Sequence, residues 1–345
     1  MAAVWAALLS LCLVGFLAAP AQNPTGHRDS TRHLNAFLAT YHADVGSSVP
    51  LGDGRVLWLF GDTVRADGGF DRNSAAVQYP DGQFRSLPGT FADHPLPDHW
   101  YWPGTASRSG NRLRMLAMDF TCDEPCGAWD MRYQHTDVLT YRLPDLTPLG
   151  RVSLPRRPTG AMWSQLYPAH GGVTYVFGSY AVLGRPGKAV EVARVPTGRL
   201  ADPAAWNYLG TKLGPELELG TVMSVVRTAE GHRLYSKRLD LWSDEIISYD
   251  GPTPHGPWSN RRVVATTPRR EGMFTYAVEA HPEQPSAPGR LLLTYATNCK
   301  RLCGGYHVTA ITVAAPGVLR DAALQGSRAE SASGAQGGEA TRPER

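Results

Sequence analysis

The chain has no Gly-x-Ser-x-Gly nucleophile elbow, no phosphate-binding loop, no His-Glu-x-x-His pair and no dinucleotide fingerprint. Those absences remove the serine-hydrolase, nucleotide-binding and zincin classes that such motifs announce. Charge is sparse: 19% of the 345 residues are charged and the formal net charge is +3. The basic residues are scattered, so no electrostatic footprint for nucleic acid exists and a neutral or weakly charged partner fits better. Eleven histidines are dispersed without ligand spacing, so neither a metal nor a cofactor is expected. Apart from the N-terminus, no run is long or apolar enough to span a membrane.

The apolar segment Ala2 to Ala19 ends in Ala19-Pro20-Ala21, the small-x-small pattern of a secretory signal peptide over residues 1–21. No Lys or Arg precedes it, which leaves an uncleaved N-terminal anchor as the alternative. Export to the extracellular side of the cell envelope is the expectation either way. Residues 22–40 read as a polar leader, flexible to Ser30. Of five cysteines, four follow the signal segment, as Cys122-x-x-x-Cys126 and Cys299-x-x-x-Cys303. An even count in an exported chain favours disulfides, most simply within each local loop, with a four-thiolate zinc site as the competing reading.

What the sequence has in abundance is turn chemistry, with Gly 36 and Pro 27 spread along it. Short apolar runs between dense turn signals call for many strands and few helices. The run Val56 to Gly61 carries no charge and then meets Asp62, as expected of a strand buried on both faces that presents an acid at its end. Similar strands begin near Leu57, Leu113, Val173, Leu234 and Leu291, a period of ~60 residues. In each copy an upstream strand leads through a turn to the apolar strand, then to a third strand. Room for an outer strand remains, as at Arg151 to Leu154 or Arg262 to Ala265. Five such copies predict an all-β chain, a five-bladed β-propeller of four-stranded antiparallel blades over residues 41–318. A two-sheet sandwich is the alternative. The Gly-, Ser-, Ala-, Glu- and Arg-rich residues 319–345 read as a disordered tail.

Inner strands of a propeller place side chains at the mouth of its channel. Asp44, Asp62 and Glu279 are therefore the first carboxylate candidates, with Glu218 in reserve. Two carboxylates about 5 to 10 Å apart around a glycosidic bond are the usual equipment of glycoside hydrolysis. Trp102 and Trp163 are candidates to stack on sugar rings or to pack between blades. Asn73, Arg72, Lys237, Tyr276 and His281 are candidate substrate contacts, although Arg72 and Lys237 also suit buried ion pairs and His281 a solvated loop. An acid after a strand, as at Asp62, can equally cap a turn. The expected partner is a polysaccharide or oligosaccharide, met by a monomer. Arg in excess of Lys, with much Ala, Gly and Pro, suggests a GC-rich bacterial genome.

The run from Asp44-Val45-Gly46 through Phe60-Gly61-Asp62-Thr63 to Asn73-Ser74 resembles the secreted domain-of-unknown-function 4185 family. So do Trp102-Pro103-Gly104, Tyr175 to Ser179, Gly256 to Ser259 and His281-Pro282-Glu283. The resemblance implies a five-bladed propeller similar to the furanosidase clans of glycoside hydrolases. Some members of that family are endo-acting D-arabinan hydrolases that cut mycobacterial cell-wall arabinan. It supports Asp44 and Asp62 as the acidic centre, and His281 and Glu283 match a recurring motif. The inner strands of copies three and four, Ala161 to Gln165 and Thr221 to Val225, carry no carboxylate where related furanosidases supply one. The general acid would then be Glu279 or Glu218. A noncatalytic carbohydrate-binding propeller and an envelope interaction module are the alternatives to a hydrolase.

Overall fold

In a computed structural model, residues 25–123, 126, 130–269, 271–299 and 306–319 are described. The expected signal segment 1–21 and all of the expected tail but residue 319 lie outside them. The fold is a five-bladed propeller built from five antiparallel sheets. Blade one comprises β1 (His42–Pro50), β2 (Val56–Val64), the short β3 (Phe70–Asp71), β4 (Ser74–Gln78) and β5 (Phe84–Ser86). Blade two is β6 (His99–Ser109), β7 (Arg112–Thr121), β8 (Arg132–Arg142) and β9 (Thr147–Ser153). Blade three is β10 (Met162–Ala169), β11 (Val173–Ala181), β12 (Lys188–Pro196) and β13 (Asn207–Leu213). Blade four is β14 (Leu219–Thr228), β15 (Gly231–Arg238), β16 (Glu245–Gly251) and β17 (Ser259–Thr266). Blade five has three strands, β18 (Met273–His281), β19 (Arg290–Cys299) and β20 (His307–Ala314).

The second strand of each blade is apolar on both faces because it feeds two seams at once. Successive side chains of a strand point to opposite faces. In β2, Leu57 and Leu59 enter the seam with blade two, while Trp58 and Phe60 enter the seam with blade five. In β19, Leu291, Leu293 and Tyr295 face blade four and Leu292 faces blade one. Trp163, expected as a possible sugar platform, is 1% exposed and packs between blades two and three against Trp206 at 5.8 Å. It is a seam residue.

The leader is corrected by the structure. Residues Thr25–Thr40 form a helix, α1, whose Leu34, Phe37 and Leu38 recur at helical spacing and cover the seam between blades five and one. Asn35 accepts from Ala310 N at 3.0 Å and donates to Ala310 O at 3.1 Å. Among the described residues blade five has no fourth strand, and the helix covers the edge of β20 in its place. At the other end, Leu319 N donates to Arg227 O at 2.9 Å, fastening the chain to blade four.

Polar contacts join the inner strands around the channel. Ser47 Oγ donates to Gly104 O at 3.3 Å, and Leu166 N donates to Thr105 Oγ1 at 2.6 Å. Gln165, with its amide nitrogen turned toward Met223 O at 3.1 Å, links blades three and four. Ser224 Oγ donates to Glu279 at 3.1 Å and accepts from Ala280 N at 3.0 Å. Ser48 Oγ meets His281 Nδ1 at 2.6 Å and also donates to Glu283. A buried polar group without a partner costs free energy; here each blade satisfies its neighbour, so the ring closes on itself.

Candidate active site

Every inner strand loses its regular register at the same level. The irregularities fall between Ala43 and Ser47, Pro103 and Ala106, Trp163 and Gln165, Leu219 and Met223, and Tyr276 and Glu279. Bulges re-aim side chains and end regular pairing. Val45 and Ala277 adopt left-handed φ of 66° and 50° within them, backbone strain of the kind that collects at functional sites. The result is a cleft of about 1170 Å³ at the channel mouth, walled by all five inner strands.

Blade one supplies the acid pair. The carboxylate of Asp44 on β1 lies directly over Gly61 on β2: a Cβ at Gly61 would stand 2.2 Å from Asp44 Oδ1. That is why glycine precedes Asp62. Tyr276 OH donates to Asp44 Oδ2 at 2.7 Å, across from blade five. Burial, and next the negative charge of Asp62, push the Asp44 carboxyl up to about 7, against the hydrogen bonds from Tyr276 and Tyr306. Asp62 is also raised by burial, while Trp102 and Arg72 favour its charged form. Trp102 Nε1 donates to Asp62 Oδ1 at 2.8 Å, and Arg72 Nη1 lies 3.6 Å from Oδ2. The Arg72 guanidinium is itself stacked over Trp100 at 4.3 Å. Tyr306 OH donates to the Asp62 carbonyl at 2.9 Å. Asp44, Asp62, Arg72, Trp102 and Tyr276 are thus the expected residues that the fold brings together.

The others go elsewhere. Glu218 sits in a left-handed turn, φ 54°, and forms a two-pronged ion pair with Arg238 at 2.7 and 2.8 Å; that partner holds its carboxyl below the ordinary range. It does not line the cleft. Glu279, 3% exposed, lies behind Gln165, whose turned amide reaches Oε1 at 3.3 Å. Burial pushes it up to about 8, and it too is absent from the cleft wall. Asn73 is buried and spent on backbone, donating to Ala92 O and Tyr101 O at 3.0 Å each. His281 is 1% exposed, held by Ser48 and by Thr294 at 2.8 Å against the Trp58 ring, so it is a member of the closing ring, not of a solvated loop. Lys237 is buried, donates to Ser243 O and is drawn down to about 8 by burial. Cys122 and Cys126 form a disulfide; the expected Cys299–Cys303 pair lies outside the residues whose side chains are described.

Several wall residues escaped the sequence reading. Asp240 lines the cleft just beyond β15, its carboxylate engaged by Thr221 N at 2.7 Å and Thr221 Oγ1 at 2.8 Å. The five-fold repeat was the available signal, since Asp240 stands just beyond the second strand of blade four and Asp62 near the end of that of blade one. Phe120, Phe274, Trp242 and Tyr306 complete an aromatic lining.

Residues 32–311 match a family described as domain of unknown function, DUF5005. The chain belongs to the DUF5005 family. The match supports this family; it does not confirm the 4185 family that the motifs resemble. Curated proteins yielded no match. Among solved structures, this DUF5005 chain is similar to a putative hydrolase from Bacteroides ovatus, with 18% identity, 82% of this chain and 89% of that one covered, and a TM-score of 0.65. It is also similar to an endo-arabinase from Bacteroides thetaiotaomicron, at 12% identity, 82% and 97% coverage and a TM-score of 0.52. A levansucrase from Bacillus subtilis aligns at 11% identity, 84% and 88% coverage and a TM-score of 0.53. At such identities the likeness is one of fold: a glycoside-hydrolase-like propeller.

Proposed function

We propose that this DUF5005 protein is an exported glycoside hydrolase that cuts a furanose-containing polysaccharide, with cell-wall arabinan as the substrate to test first. The observation that carries this reading is the Asp44 carboxylate resting on Gly61 beside Asp62, at the wall of a cleft open to solvent. Two acids in unlike surroundings divide the labour of bond cleavage. Asp44, protonated near neutrality, donates to the leaving glycosidic oxygen as the C–O bond breaks. Asp62, whose charged form Trp102 and Arg72 favour, attacks the anomeric carbon or takes the proton of the attacking water. The cleft exceeds the roughly 300 to 1000 Å³ of small-molecule pockets, which favours a polymer, and its aromatic wall suits sugar faces. Export is supported by the apolar N-terminal segment and by the Cys122–Cys126 disulfide.

A second reading, a noncatalytic carbohydrate-binding propeller, is favoured by one observation: neither Glu279 nor Glu218 reaches the cleft. One experiment separates the two. The purified protein is incubated with mycobacterial arabinogalactan, arabinan and plant arabinans and xylans beside Asp62→Asn. Released oligosaccharides from wild type alone support the hydrolase. Retention of polymer by folded protein with no product supports the binding module and defeats the hydrolase.

A further inference from the structure

On the face of blade two turned away from the cleft, the fold gathers histidines from three different elements. His94 belongs to the connection between blades one and two, His99 opens β6, Asp119 is on β7, and His135 is on β8. One donor atom from each of His94, His99 and Asp119 lies within 4.8 Å of the other two. His99 Nδ1 is 2.8 Å and His94 Nε2 3.6 Å from the same oxygen, Asp119 Oδ1. A cation held by bonds of about 2.0 to 2.1 Å in tetrahedral geometry spaces its donors roughly 3.3 Å apart, and these separations bracket that value.

The independent observation is His94. Its side chain is 2% exposed, yet among the described residues Nε2 has no hydrogen-bond partner, and it lies toward Asp119 at 3.6 Å. Such an orphaned buried nitrogen is costly unless something fills the gap. Its other nitrogen can donate to Leu96 O at 3.4 Å, which frees the Nε2 lone pair; the 3.1 Å contact from Leu96 N belongs to the opposite tautomer. Around these donors stand outer groups. His135 Nδ1 is 3.4 Å from Asp119 Oδ2, and its Nε2 is 3.0 Å from Asp137 Oδ1. His135 thus lies between the two carboxylates, beside the one proposed as a ligand, where outer groups orient ligands in metal sites. His99 and His135, 24% and 30% exposed, leave an entry path from solvent.

We propose that His94, His99 and Asp119 bind a divalent transition cation of the zinc class, with His135 positioning Asp119. Two imidazoles and one carboxylate suit zinc or a neighbouring first-row ion and disfavour Mg²⁺ and Ca²⁺, which prefer oxygen. The remaining coordination position is left to water. The cation fastens the connection between blades one and two to β6 and β7, which is a structural role: the opposite face of the same sheet carries Trp102, Met118 and Phe120 to the cleft.

The test uses the full chain stripped with a chelator and titrated with ZnCl₂, and separately with MgCl₂ and CaCl₂, by calorimetry and thermal melting. One Zn²⁺ per chain, a raised Tm and no response to Mg²⁺ or Ca²⁺ are expected. His94→Gln and His99→Gln should each weaken Zn²⁺ by more than about tenfold, and His135→Gln by about tenfold or more, whereas His232→Gln should change nothing. No stoichiometric Zn²⁺ on folded wild type, or folded His94→Gln and His99→Gln variants that bind as wild type does, would overturn the proposal. Should those variants not fold, wild type loaded with Cu²⁺ decides by electron spin echo: two coordinated imidazoles sustain the site, none or one defeats it.

Discussion

Asp44 and Glu279 occupy comparable places in adjacent blades. Each lies within or at the edge of a bulged stretch of an inner strand, and in each burial is the main force raising the carboxyl, to about 7 and about 8. They differ in what covers them. Asp44 lines the cleft with Asp62 beside it, whereas Glu279 is sealed behind Gln165 and bonded by Ser224. A perturbed acid is therefore no mark of catalysis by itself; access to the reacting atoms separates the two. Glu279 serves the ring that joins blade five to its neighbours, and Asp44 serves the cleft.

The largest expected effect tests that division directly. Asp44→Asn should lower turnover by about 10²- to 10⁴-fold, the usual worth of a general acid, with near-native circular dichroism. Glu279→Gln keeps the shape and should leave turnover within a few-fold. Steady-state kinetics on the polymer identified above would settle it, and equal losses in the two variants would erase the distinction between cleft and ring.

Next in size is Gly61→Ala. The new methyl would meet Asp44 Oδ1 at 2.2 Å, so the carboxylate must move. Displacement of a reacting group by about 1 Å costs on the order of 10²-fold in rate. Turnover should fall by that order while polymer binding, measured with the same preparation, stays within a few-fold. Unchanged turnover would mean that the position of Asp44 over Gly61 is immaterial.

The two acids should also govern stability against pH, with a sign opposite to that of salt-bridged carboxylates. Both folded values lie above the ordinary ones, 3.8 for Asp44 and 4.5 for Glu279. The folded chain therefore holds more protons than the unfolded chain between about pH 4 and pH 8. Their contribution is complete below that window and is lost as pH rises through it. Each should account for on the order of 4 kcal/mol across the window. Asp44→Asn and Glu279→Gln should each flatten the fall of denaturant midpoint with pH and stabilise the protein at pH 8. A wild-type stability that rises over the same range would contradict the burial of both groups.

How much of this was legible in the sequence differs between the same two regions. The blades were readable because strand 56–60 is apolar at every position and its counterparts are mostly so, as a strand feeding two seams needs to be. Asp62 was readable because it follows the uncharged run Val56 to Gly61. The helix at Thr25–Thr40 was not, since its polar first turns hide the Leu34, Phe37 and Leu38 spacing. Glu218, Glu279 and His281 look like site residues in one dimension. Their fates are set by Arg238, Gln165 and Ser48, which the fold delivers from distant positions. The histidines around Asp119 were hidden for the same reason, as each comes from a different element.

The smallest effect is expected at the rim. Trp242 is 81% exposed and lines the cleft from beyond β15, beside Asp240. An exposed indole has little to do with folding, so Trp242→Ala should leave the melting temperature unchanged within error. If the indole takes the face of a sugar ring away from the point of cleavage, its loss removes about 1 kcal/mol of binding, or roughly a fivefold rise in KM at constant kcat, because ground and transition states are held alike there. A fall in kcat instead would move Trp242 inward, next to the bond that breaks. An unchanged KM with every polymer tested would leave the sugar path on the other wall, along Trp102, Phe120 and Met162.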